Sequence, residues 1–164
     1  MQASISVKDF EKLTTKIFPL EGKVEDFLNS LIQSGHAIRF DRRKAIEQSL
    51  EILSAVKEDI NEAAGKVERG DYFEASQAMG RVIHQLRQLR DIVRQNKWIT
   101  DHLPELKEIT EMINIAMKLQ SGINLTMSRQ RGIIQKYLIL HFLLGHGNCH
   151  IPIIFSVHRE GASE

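Results

Sequence analysis

Near the start of this chain, apolar residues recur at alternating steps of three and four: Phe10, Leu13, Ile17, Leu20, Val24, Phe27 and Leu31. This spacing keeps one stripe of an α-helix turned toward a neighbour, and a strand has no such period. A chain built this way must bury the stripe against other helices. Pro19 falls inside the seam and predicts a kink, because its ring crowds the preceding turn and it donates no N–H. The register continues through it, so one bent helix is expected rather than two. Gly35 is the expected stop.

The pattern returns three times. Asp41 is placed to cap a second helix, with a seam of Ile46, Leu50, Leu53, Lys57, Ile60, Ala64 and Val67. Lys57 is its one polar member, and its stem is long enough to lie along the core and carry the ammonium to water. Ile52 and Val56 widen the apolar face. Gly70 and Asp71 read as a stop followed by a cap. A third seam is Tyr72, Ala75, Met79, Val82, Leu86, Leu89 and Val93, ending near Trp98. Thr100 or Asp101 is expected to cap a fourth helix, with Pro104 in its first turn, where proline is tolerated. The fourth seam is Ile109, Ile113, Ala116, Gln120, Ile123, Met127, Gln130 and Ile134. Gly122 and Gly132 weaken this helix and would permit a break before its apparent end near Leu144.

The expected fold is therefore all-α: an antiparallel up-down bundle of about four long helices over residues 1–144. Helices of about 28 residues would each be about 42 Å long, and short connections set neighbours antiparallel. Residues 145–164 break the pattern. They are expected to form a short irregular or extended tail, apolar over 151–157 and rich in histidine, with a disordered end. One explanation is a tail foreign to the bundle, such as an alternative terminus; another is an extended segment packed against it.

Composition excludes several classes. The 164 residues carry a net charge of +1, so no global field gathers nucleic acid or an anionic membrane. The lone Cys149 cannot form an internal disulfide, which fits a reducing compartment. The opening residues lack a basic stretch followed by an apolar core, so no secretion leader is expected. No apolar run is long enough to span a bilayer. A cytoplasmic location follows as an expectation. No glycine-rich phosphate loop, nucleophile elbow or paired metal-binding helix motif occurs, so neither catalysis nor a cofactor is expected.

Among residues that could carry chemistry, His84 comes first. The segment Val82-Ile-His-Gln-Leu-Arg-Gln88 resembles the histidine-phosphotransfer pattern of His, any residue, Leu, Lys or Arg, then Gly. The likeness rests on His84, Leu86 and Arg87, with Gln88 standing where the pattern has glycine. It implies His84 as a phosphoacceptor. The plainer reading is a histidine at the edge of the core beside Ile83 and Leu86. His141, His146, Cys149 and His150 are residue types that bind zinc, but their spacing matches no finger pattern, and a metal-free loop is the expectation.

Arg87, Arg90, Arg94 and Lys97 share one helical face. Asp101, Glu105, Glu108 and Glu111 follow on similar spacing. Two antiparallel neighbours would bring these rows together as ion pairs, each contributing about 0.2–1 kcal/mol. Arg39, Arg42, Arg43 and Lys44 form a second basic spot at a helix start, where the macrodipole disfavours positive charge. That placement points to an acidic partner. Arg69-Gly70-Asp71 resembles the tripeptide of integrin ligands but coincides with a stop and a cap. The glycosylation sequon Asn124-Leu125-Thr126 lies within a helix. Both are read as structural.

The leading expectation is a non-catalytic helical interaction module: a scaffold, an adaptor or a subunit of a larger assembly. Its partners would be proteins, including further copies through open seams. Gln120 and Gln130 are polar for a core and are candidates to face a partner, with Arg39, Arg42, Arg43 and Lys44. The alternatives are a phosphotransfer-like bundle using His84 and a membrane-peripheral protein using residues 137–157. The latter is disfavoured because the polar faces mix both charge signs. Nucleic acid is not an expected partner.

Overall fold

The computed structural model describes residues 5–34 and 40–144. They form α1 (Glu11–Gln33), α2 (Phe40–Glu68), α3 (Tyr72–Gln95), the short α4 (Trp98–His102) and α5 (Ile109–Leu143), with 3₁₀ turns at Val7–Phe10 and Pro104–Glu108. There is no strand among the described residues. The chain divides into two units, Met1–Thr126 and Met127–Glu164.

The core of the first unit is drawn from every helix. Leu13, Ile17, Leu20 and Val24 of α1 are buried, with Leu53, Val56 and Ile60 of α2, Met79, Val82 and Leu86 of α3, and Ile113, Ala116 and Ile123 of α5. α1 is continuous through Pro19, whose ring is exposed. Its seam is buried from Phe10 to Val24, while Phe27 and Leu31 are only half-buried.

In α2 the buried row differs from the expected one. It runs through Ile46, Ser49, Leu53, Val56, Ile60, Ala63 and Val67, while Leu50 and Ala64 stand half-buried beside it. The steps are still three and four. Apolarity alone misplaces the row because serine can line it: the Ser49 hydroxyl donates to the Ala45 carbonyl at 2.8 Å, so its burial leaves no polar group unmatched. Lys57 lies at the edge of the core with its ammonium 5.2 Å from the centroid of the Phe18 ring and 4.0 Å from Glu21 Oε2. Its stem is thus covered while its charge stays at the surface.

The α2–α3 junction shows how the sequence ends one helix and starts the next. Gly70 has φ +80°, a conformation that costs other residues strain. It lets Asp71 N–H donate to the Lys66 carbonyl at 2.8 Å and Gly70 N–H to that of Val67 at 3.1 Å, the double closure of a Schellman stop. Asp71 is the N-cap of α3, but through its carbonyl, which accepts from Ala75 N–H at 3.0 Å.

The start of the last long helix departs from expectation. Thr100 and Asp101 do not cap it but lie inside α4. Proline disfavours helical geometry in the residue before it. Accordingly Leu103 takes φ −128°, ψ 74° and ends α4, and Pro104 opens a 3₁₀ turn instead of a long helix. α5 begins only at Ile109, and it then continues through both Gly122 and Gly132 without a break. At Gly122 a side chain would meet Ile5: an added Cβ would lie 3.2 Å from Ile5 Cδ1.

Cross-helix contacts give the pairing within the first unit. Arg81 donates to Asp59 at 3.1 Å and to Glu62 at 2.7 Å, and Lys66 pairs with Glu74, so α2 and α3 run in opposite directions. They form the most extensive helix pair. Between α3 and α5, Gln120 bonds the Ser76 carbonyl and Ser76 bonds Asn124, while Arg87 lies farther along against Met117. Between α1 and the last segment, Lys16 meets Glu108 and Glu111, and Lys23 meets Glu105.

Candidate interaction groove

The expected meeting of the α3 cations with the acidic row does not occur. Glu105, Glu108 and Glu111 are bound by Lys23 and Lys16 of α1, at 2.8, 3.2 and 3.5 Å. Glu105 and Glu108 lie in the 3₁₀ turn that opens at Pro104, and Glu111 lies in the first turn of α5. Hydrogen bonding to Lys23 is the main cause that lowers the Glu105 carboxyl below its ordinary range, and hydrogen bonding to Glu108 raises Lys16. On α3, Arg87 reaches the Met117 sulfur at 4.0 Å, and Arg90 Nε is buried without a hydrogen-bond partner among the described residues.

His84 is exposed, as a phosphoacceptor must be. Its Nε2 lies 3.3 Å from the Gln88 side-chain nitrogen, so the residue standing in place of the pattern's glycine sits against the ring. His141 lies on α5, stacked on Tyr137 with centroids 6.0 Å apart. His146, Cys149 and His150 lie outside the described residues, as do Gly35, Arg39 and the whole of 145–164. Among the described residues no cluster of ligand types could hold a metal ion.

The second basic spot is partly engaged within the fold. The Arg42 guanidinium lies 5.0 Å from the centroid of the Trp98 ring, and Arg43 bonds Glu47 at 2.9 Å one turn on. Lys44 is exposed. The two glutamines of the fourth seam separate: Gln120 is half-buried and donates to the Ser76 carbonyl at 3.1 Å, whereas Gln130 is exposed.

What the sequence does not single out is a groove between α2 and α3. It has a volume of about 440 Å³ and is lined by Gln48, Glu51 and Ile52 of α2 and Gln88, Asp91 and Ile92 of α3. Ile52 and Ile92 are half-buried and give it an apolar floor, while Glu51 and Asp91 are exposed. The arrangement offers apolar contact, two amides and two carboxylates in one place. The only sequence signal for it is the pair of isoleucines, each one position off its seam's buried row.

No protein-family model matches this chain, and no curated protein or solved structure matches it either. The reading of function therefore rests on the residues alone.

Proposed function

We propose that this chain is a non-catalytic protein-interaction module, an up-down antiparallel bundle of four long helices that takes a partner in the α2–α3 groove. The opposed order of cross-helix contacts in α2–α3 and α3–α5, and of Lys16 and Lys23 of α1 against Glu111, Glu108 and Glu105, supports the bundle arrangement. The observation that carries the partner site is the groove itself: an isoleucine floor beside two carboxylates, Glu51 and Asp91. Its complement is a short protein segment that presents a Lys or Arg next to an apolar side chain. Partner segments of this kind bind by apolar anchors and are selected by charge.

Selection of displayed peptides against the full chain tests the reading. Enriched peptides should combine a cation with an apolar residue. Their affinity should fall at least tenfold on the Glu51→Lys, Asp91→Lys double variant and stay unchanged on a variant elsewhere, such as Gln130→Ala. Peptides that bind both equally well, or no enrichment, would sink the proposal.

The exposure of His84 favours a second reading as a phosphoacceptor. Under it, a small phosphoramidate donor should add one phosphoryl group to the chain and none to His84→Gln.

A further inference from the structure

The last described stretch of α5 has a charge balance of its own. Residues 127–144 contain Arg129, Arg131 and Lys136 and no Asp or Glu. Beyond Lys136 the helix is almost wholly apolar, and its large side chains are in water: Tyr137 is 66% exposed, Phe142 66% and Leu143 74%, with Ile139 and Leu140 also exposed. Successive residues turn by about 100° around a helix, so these five side chains, together with the half-buried Leu138, leave only the arc at His141 without an apolar group. The one polar residue among them, His141, lies stacked on the Tyr137 ring.

A helix that is apolar nearly all round needs cover on nearly all sides. One partner helix covers a single stripe and leaves the rest in water. A parallel second copy would also set the same cations beside each other. A bilayer surface surrounds what enters it, and anionic headgroups complement a stretch that has cations and no acids. We propose that residues 127–144 attach this protein to an anionic lipid surface. Tyr137, Ile139, Leu140, Phe142 and Leu143 enter the outer acyl region, and Arg131 and Lys136 stay at the headgroups. Residues 137–144 extend about 12 Å as a helix, less than half of the ~30 Å hydrocarbon core. Attachment is therefore to one leaflet, in keeping with the absence, among the described residues, of any helix able to cross a membrane. This attachment is independent of the α2–α3 groove.

Co-sedimentation of the full chain with vesicles of phosphatidylcholine, with and without phosphatidylserine, tests this. The chain should bind the phosphatidylserine vesicles and bind them less as salt is added. Arg131→Gln and Lys136→Gln should each weaken that binding about fivefold. Phe142→Ser with Leu143→Ser should abolish it, with the helical circular dichroism unchanged. Absence of binding, or equal binding to both kinds of vesicle, would overturn the proposal. So would a doubled solution mass that the serine variants abolish, because it would make a second copy the cover. The two glutamine variants alter only exposed or edge positions and keep the test decisive if the serine variants misfold.

Discussion

The Gln120 side-chain nitrogen donates to the Ser76 carbonyl at 3.1 Å and so ties α5 to α3 at the edge of the core. It is a polar residue on an apolar seam, and its hydrogen bond explains why it is tolerated there. Gly80 lies beside it: a Cβ at that position would come within 3.3 Å of the same nitrogen. Gln120→Glu should destabilise the fold at pH 7 by about 1–2 kcal/mol, because it places an acceptor against an acceptor in a half-buried site. Thermal melts across pH check this, and the loss should shrink once the carboxyl is protonated.

Ser49 sits in the buried row of α2 with its hydroxyl on the Ala45 carbonyl. Ser49→Ala removes a donor without stranding that carbonyl, which keeps its helical partner. Stability should change by less than about 0.5 kcal/mol. Ser49→Leu forces extra volume into the packed row and should cost about 1–3 kcal/mol. Urea unfolding of the two variants separates these outcomes.

His84 and Leu86 are two residues apart on α3 and face opposite environments, His84 exposed and Leu86 fully buried. Leu86→Ala should cost about 2–5 kcal/mol through lost burial and a residual cavity. His84→Ala should change stability by less than about 0.5 kcal/mol. A similar loss at both positions would contradict the orientation of α3.

Hydrogen bonding to Lys66 is the main cause that lowers the Glu74 carboxyl below its ordinary value of 4.5. A carboxyl with a depressed folded pKa adds stability that is present above its unfolded pKa and is lost as pH falls through the folded one. Lys66→Met should therefore flatten the acid side of the melting-temperature profile below about pH 4.5 and leave its slope near pH 7 unchanged. Lys16 has the opposite sign: its pKa is raised, chiefly by hydrogen bonding to Glu108, so its contribution is lost only in strong alkali.

How far the sequence reaches is clearest at the helix ends. Gly70 was legible as a stop because a positive φ favours glycine, and φ is a local property. The break at Leu103 is also local, since Pro104 restricts the residue before it. Pro104 does take the first turn, in the 3₁₀ segment that leads straight into α5, and it is the cap that moves, from Thr100 or Asp101 to Leu103.

The sequence by itself determined that this protein is helical, and it located most of the buried rows, because burial on a helix repeats every three to four residues whatever the neighbour is. The tertiary structure decided what those helices do to one another. It turned the acidic row to Lys16 and Lys23 of α1 instead of the α3 arginines. It matched Gln120 with a backbone carbonyl, and it set Glu51 and Ile52 across from Asp91 and Ile92 to make the groove. Each of these depends on which residues of two separate helices come to the same level. That is fixed by packing at every layer together, and no periodicity within a single helix records it.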